Sequence, residues 1–448
     1  MDINSFEQKL YNLLLNHLNG KYIINEYLEL LEQENNSFLN YILSHAYAAL
    51  NDTDNADKYR KIAVELNSNF DFDEDYKNIF VYIFYLFSTI TTQIPPFIDD
   101  EIEKGIEHNP TPDEFLKVSE AYRTNNNISN ALSVTQKGLE KFPKNNSLIF
   151  DLASNLLYTR NFYAAWEYNE LRFDAVRPKL PQYINKPKFN LQTDSANVYI
   201  YPVTKLGDTV FFARYLFKLK QDYPKLNLFF SPDKQLAKLF EDNDIKTCEK
   251  PDEHIIDYQI SIEGLPYLFK NTSTQILTNG YLKANKEKAS LFKQQFFSNN
   301  KIKVGIVWNS SKPDSERNLP IKLFEDLFKI QNIQFYSLQK EISLPDELFL
   351  SSYCIPNLGR KLNNFSDTAA IIDNLDIIIG CDTSVTNLSG AMGKNTIIIL
   401  PFHSDWRWGL FEQNSKWYDS VKLYRKKQNQ DYEEVFARVK KYLETCKL

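Results

Sequence analysis

From the amino terminus to about residue 178, apolar side chains recur every three to four positions among Leu, Tyr, Asn, Glu and Lys. No stretch there alternates as a half-buried strand would, so this portion is expected to be helical throughout. Near residue 180 the texture changes. The proline-punctuated connector "RPKLPQYINKPKF" leads into "NVYIYPV", and from there short apolar runs alternate with helix-periodic segments. "NVYIYPV", "LNLFFSP", "KIKVGIVW", "IQFYSLQ", "LDIIIGC" and "NTIIILPF" read as strands, and the near-continuous apolar runs suit parallel sheets covered on both faces. "KLGDTVFFARYLFKLKQDYP" and "LPIKLFEDLFKI" read as helices, and "QDYEEVFARVKKYLETCKL" as a closing amphipathic helix. The chain therefore divides into a helical part, 1–180, and two α/β domains, 181–298 and 299–448.

The helical part carries a repeat. Ser119 and Ala131 are twelve residues apart, as are Ala153 and Ala165, and the second pair is displaced from the first by 34. Ser44 and Ala56 repeat the spacing of twelve, Phe115 and Ile149 are 34 apart, and Pro143 falls where a helix pair would end. This is the register of a tetratricopeptide repeat, in which small residues let two helices approach and large neighbours fill the groove between successive pairs. Repeats at 38–69, 112–145 and 146–178 fit it, while 70–111, with "TTQIPPF", is irregular. The expectation is a solenoid whose concave face binds an extended peptide or protein segment. A helical bundle with chance spacings is the alternative.

The stretch "LDIIIGCDTSVTNLSGAMGKNTIIILPF", 375–402, holds the clearest candidate chemistry. Its first apolar run reads as a buried parallel strand, Asp382 to Ser384 as the turn and cap of a helix, and Gly393 as the stop before the next strand. The helix start presents unpaired N–H groups and a positive dipole end at the carboxyl edge of a sheet, which suits a diphosphate. The simpler alternative is that Asp382 and Thr383 only cap the helix.

Composition narrows the function classes. Hydrophobic residues make up 43%, with 32 Phe and 27 Tyr, enough for large cores. A net charge of −6 leaves no electrostatic footprint for nucleic acid. Cys248, Cys354, Cys381 and Cys446 match neither a zinc spacing nor a disulfide framework, which fits a reducing compartment. No signal peptide or apolar run of spanning length is present, so a cytoplasmic location is expected.

Several collinear stretches resemble the bacterial tetratricopeptide-repeat glycosyltransferases. They are "AAWEYNELRF", "KLGDTVFFARYL", "VGIVWNSS…ERNLP", "YSLQK" and "FSDTAAIIDNLDIIIGCDTSVTNLSGAMGKNTIIILPFHSDWRWGLFEQNSKWY", in order over about 145–425. The resemblance implies a GT-B fold, two Rossmann-like domains facing a cleft, akin to the lipopolysaccharide heptosyltransferases and the protein O-GlcNAc transferases. It further implies metal-independent, inverting transfer, with a nucleotide-sugar as substrate and no cofactor.

Residue roles follow from the same motifs. Asp208 matches the aspartate that such enzymes place at the cleft as candidate general base, flanked by Gly207 and Thr209; its bland alternative is a helix N-cap. Arg317 occupies the family's basic position, with Lys312 nearby, and either could neutralise a diphosphate leaving group. An exposed loop cation is the alternative for both. Trp308, Gln339 and Lys340 resemble positions framing the nucleotide, and Asp382, Thr383, Ser384 and Val385 its phosphate-binding helix start. Trp406 and Arg407, in "DWRW", either line the cleft or seal the two domains together. His403 reads as structural. Two departures stand out: "VTK" at 203–205 replaces the family's Glu-Gln-Gly, and Asn387 replaces a histidine. The leading expectation is transfer to a protein hydroxyl on a surface or flagellar protein selected by the repeats. A glycan or lipopolysaccharide acceptor and a non-catalytic scaffold are the alternatives.

Overall fold

The computed structural model describes residues 28, 31, 35, 37, 40, 43, 44, 47, 52–66, 111–176, 183–269, 278, 280–311, 315–428 and 430–445, without the side chains of 172–176. Lys312, Cys446, part of the first repeat at 38–69 and the irregular stretch 70–110 lie outside the described residues. The chain forms two compact units, Met1–Asn155 and Leu156–Leu448.

In the first unit, α1 spans Thr53–Leu66, α2 Pro112–Thr124 and α3 Ile128–Lys141, and α4 is Asn146–Tyr158. Thr111 and Glu114 form a capping box, with Pro112 at the first helical position, so α2 starts where its orphan N–H groups are satisfied. Asn126, at φ 60°, turns the chain, and the Asn127 side chain caps α3. Ser119 and Ala131 meet where α2 and α3 pack: both are fully buried, and Ser119 Oγ donates to the Ala131 carbonyl at 3.3 Å. Asp151 of α4 closes the same site, accepting from the hydroxyls of Ser119 and Thr135 and pairing with Arg123.

The second unit opens with α5, Phe162–Val176, and continues through β1 Asn197–Tyr201, α6 Leu206–Asp222, β2 Asn227–Phe230, α7 Lys234–Glu241, β3 Tyr258–Ser261, α8 Leu265–Leu268 and α9 Lys286–Phe296. There follow β4 Ile302–Val307, α10 Glu325–Phe328, β5 Ile333–Ser337, α11 Leu344–Ser352, α12 Phe365–Asp373, β6 Ile377–Gly380, α13 Ser384–Ala391, β7 Thr396–Leu400, β8 Val421–Arg425 and α14 Tyr432–Thr445. The strands form two parallel sheets, ordered β2-β1-β3 and β5-β4-β6-β7-β8. In register, Val198 lies opposite Leu228 and Tyr258, and Ile306 opposite Ser337 and Ile379.

The isoleucine runs of β6 and β7 are wholly buried, and Val435, Phe436 and Val439 of α14 join the core around them. Gly380 lets β6 end against β4: a Cβ there would stand 2.3 Å from the Val307 carbonyl oxygen. Gly393, at φ 73°, makes the turn after α13 into β7. "LPIKLFEDLFKI" departs from the expected helix. It forms a 3₁₀ turn, Ile321–Phe324, and the single turn α10, because its buried Ile321, Phe324 and Leu327 recur every three residues, the period of the tighter helix. Among the described residues, no helix is long and apolar enough to cross a membrane.

Candidate active site

The order of strands reverses between β1 and β3 in the first sheet and between β4 and β6 in the second. Open parallel sheets bind ligands at the carboxyl ends of strands beside such switch points. The segments leaving β1, β4 and β6 there carry Asp208, Arg317 and Asp382.

After β1, the divergent "VTK" is fixed from below. The buried Glu263 carboxylate, in the turn after β3, accepts from the Val203 N–H at 3.0 Å, the Thr204 N–H at 3.0 Å and the Thr204 hydroxyl at 2.5 Å. Burial pushes the Glu263 carboxyl above its usual range, against the pull of these donors. Helix α6 then begins with Lys205 as N-cap, without a side-chain cap bond. Asp208 lies inside the first turn, so the cap alternative for it is corrected. Its carboxylate turns instead to Arg407, Nη1 to Oδ1 at 2.5 Å. Gly207 brings this turn against α13, where a Cβ would sit 3.5 Å from Ser384 Cα. Thr209 is buried, its hydroxyl spent on the Lys205 carbonyl at 3.2 Å.

After β6, Thr383 is the N-cap of α13 and forms a capping box with Thr386. Asp382 does not cap. Its buried carboxylate pairs with Arg317 Nη1 at 3.3 Å and accepts from Asn387 Nδ2 at 3.2 Å. Arg317 also donates to the Asp382 carbonyl at 3.3 Å. Asn387 is buried and accepts from the Tyr418 hydroxyl at 3.2 Å, so it braces Asp382 rather than facing outward. Ser384 and Val385 remain partly exposed, in the first turn, where backbone N–H groups lack intrahelical acceptors.

The remaining residues expected at the nucleotide divide. Trp308 lies wholly within the core, its indole N–H directed at Asp346 at 3.3 Å. Gln339 is buried and braces the end of β4, its Oε1 accepting from the backbone N–H groups of Trp308 at 3.2 Å and Asn309 at 3.0 Å. Lys340 is exposed. Trp406 packs among Phe162, Trp166, Phe211 and Trp417, sealing α5 and α6 to the loop after β7, while Arg407 reaches Asp208. Arg407 Nε also lies 3.1 Å from Asp405 Oδ1.

Burial opposes the Arg407 charge, but Asp405, Asp208 and Asp382 outweigh it and hold the guanidinium above its ordinary value. Burial pushes the Asp405 carboxyl up, against the pull of Arg407 and with the help of Asp382 and Asp208. Sequence reasoning missed Glu263 and Arg425, whose partners lie far along the chain, and Asp405, whose partner Arg407 is only two positions on. Among the described residues, no group of three or more His, Cys, Asp or Glu side chains is placed to hold a metal ion.

Two arginine–aspartate pairs thus stand at the meeting of the sheets, with opposite polarity. In one, the side chain of Asp382 is 3% exposed and that of Arg317 38%; in the other, the side chain of Arg407 is 10% exposed and that of Asp208 27%. The first pair presents a cation, beside a helix start that favours anions. The second presents a proton acceptor.

No family model matches the chain. Over 146 residues, 31% of this chain, it is 30% identical to Protein FlbA of Caulobacter vibrioides, of whose length the match spans 24%. Similar solved structures include the glycosyl transferase family 9 protein from Veillonella parvula, at 10% identity over 56% of this chain and 92% of that one, with a TM-score of 0.41. The E. coli heptosyltransferase WaaC with ADP-2-deoxy-2-fluoro heptose is similar at 10% identity, over 55% of this chain and 99% of that one, with a TM-score of 0.39. A Thermobaculum terrenum O-GlcNAc transferase mutant is similar at 8% identity, over 91% and 92%, with a TM-score of 0.24.

Proposed function

We propose that this chain is a metal-independent, inverting glycosyltransferase of the GT-B type, moving a sugar from a nucleotide-sugar to an acceptor hydroxyl. The observation that carries the reading is the opposed polarity of the two arginine–aspartate pairs at the switch points of two parallel sheets. As the acceptor oxygen bonds to the anomeric carbon, its proton passes to Asp208. Arg407 occupies Oδ1, and a carboxylate keeps a second oxygen as acceptor. The bond from the anomeric carbon to the diphosphate breaks, and the electron pair leaves on the phosphate oxygen. Arg317 and the N–H groups at the start of α13 meet the charge that builds there. The collinear motifs over about 145–425 support the same reading.

The helical part, 1–180, read as tetratricopeptide repeats, selects a protein acceptor and leaves the donor chemistry to the two α/β domains that follow, in a cytoplasmic setting. Purified protein incubated with a panel of nucleotide-sugars and protein, peptide or glycan acceptors tests this. Donor turnover with sugar on a protein is the expected result. Turnover only with glycan acceptors moves the acceptor assignment, and neither diphosphate binding nor donor turnover removes the transferase reading.

A further inference from the structure

The loop between β7 and β8 is built more rigidly than a connector requires. The Arg425 guanidinium, at the end of β8, donates to the carbonyls of Phe402 at 3.2 Å, Trp408 at 3.1 Å and Gly409 at 2.8 Å, and to the Ser404 hydroxyl at 2.6 Å. Both arms of the loop are therefore tied to one planar group. Burial holds Arg425 down to about 10. Trp406 anchors the tip, its ring 5.6 Å from Phe211 and 5.7 Å from Trp417, centroid to centroid. Asp405 Oδ1 accepts the Arg407 backbone N–H at 3.0 Å and lies 3.1 Å from its Nε.

The loop held in this way carries Arg407, whose buried guanidinium ends on Asp208 Oδ1. Asp208 belongs to the helix after the first sheet's central strand, and Arg407 to a loop of the second sheet. We propose that Arg407 is a positioning residue for the base: its guanidinium, ion-paired with Asp405, holds Asp208 Oδ1 so that the other oxygen faces the acceptor hydroxyl. The base is then assembled by both sheets jointly. This deepens the transferase reading and rests on it.

The test pairs single-turnover transfer at saturating donor with calorimetric binding of a nucleoside diphosphate, in the full chain. Arg407→Ala is expected to transfer about a hundredfold more slowly, the loss typical of a reacting group displaced by about 1 Å. Diphosphate affinity stays within about twofold, and added guanidinium ions restore part of the rate. Arg407→Lys keeps the charge without the planar fork, so its rate falls between the two. It serves as the second variant should the alanine chain not fold. A folded Arg407→Ala or Arg407→Lys that transfers at the wild-type rate overturns the inference alone. So does a loss confined to diphosphate affinity, which makes Arg407 a donor ligand. Absence of transfer by the wild type overturns the transferase reading, and the inference with it.

Discussion

The site has two sides, each built on an arginine and an aspartate, and they differ in which partner is buried. On the second sheet's side, Asp382 is sunk among Asn387 and the β6 end, and Arg317 stands out over the start of α13. On the first sheet's side, Arg407 is sunk among aromatic rings and Asp405, and Asp208 stands out. The same two residue types therefore offer opposite chemistry. A pair is read by its exposed member, because the buried member is committed to holding it. That inversion separates a leaving-group site from a base, which spacing along the chain could not do.

The comparison breaks most visibly at Asp208. Asp208→Asn removes proton acceptance while keeping shape, so transfer at saturating donor should fall about 10²–10⁴-fold. Thermal stability should fall by no more than about 1–3 kcal/mol, since Asp405 still pairs with the buried Arg407 and Lys205, not Asp208, starts α6. A wild-type rate would make Asp208 a structural partner of Arg407 only.

On the other side the first effect is on stability. Asp382→Asn leaves Arg317 without its buried counter-charge and should cost about 1–3 kcal/mol in denaturant unfolding. Unchanged stability would show that Asp382 is not the anchor. Thr383→Ala tests the helix start itself and should cost about 1 kcal/mol, because the side chain caps α13. Retention of full stability there would argue that the first turn is held by other contacts.

The smallest effect is in acid, where the two sheets are joined away from the arginines. The Ser366 hydroxyl donates to Asp242 at 2.5 Å, and Lys288 pairs with Asp367 at 2.7 Å. For Asp367, burial works against ionisation, but Lys288 and the N–H groups of Asn363 and Asn364 outweigh it and hold the carboxyl below its usual range. Burial likewise opposes ionisation of Asp242, and Ser366 and Lys238 outweigh it. A depressed folded value means that this stability is complete above about pH 4 and is lost as pH falls through the folded values. Asp367→Asn should therefore flatten the acid limb of the unfolding profile. An unchanged slope would remove Lys288–Asp367 from the account.

The strands legible in the sequence were β1, β2 and β4 to β7, the clearest being β6 and β7 with their isoleucine runs. β3, "YQIS", and β8, "VKLYR", carry polar residues within their runs, and these find partners only in the fold. Gln259 of β3 is buried because the Tyr201 hydroxyl donates to it at 2.6 Å, and Arg425 ends β8 beneath a loop it organises. At the site, Asp208, Arg317 and Asp382 lie on segments leaving the switch points, while Gln339 and Lys340 follow β5 and Trp406 and Arg407 follow β7. Their orientations were not legible. Trp308 and Gln339 face the core, and Asn387 faces Asp382. The pairing of Asp208 with Arg407 joins residues 199 positions apart, beyond any local pattern.

Calorimetric titration of a nucleoside diphosphate into the wild type, Arg317→Ala and Asp208→Asn tests the opposed polarity most directly. The account predicts that Arg317→Ala loses about 1.5–3 kcal/mol of affinity, the worth of a charge-assisted contact, while Asp208→Asn binds as the wild type does. Equal losses in the two variants, a loss confined to Asp208→Asn, or no diphosphate binding by the wild type would contradict it.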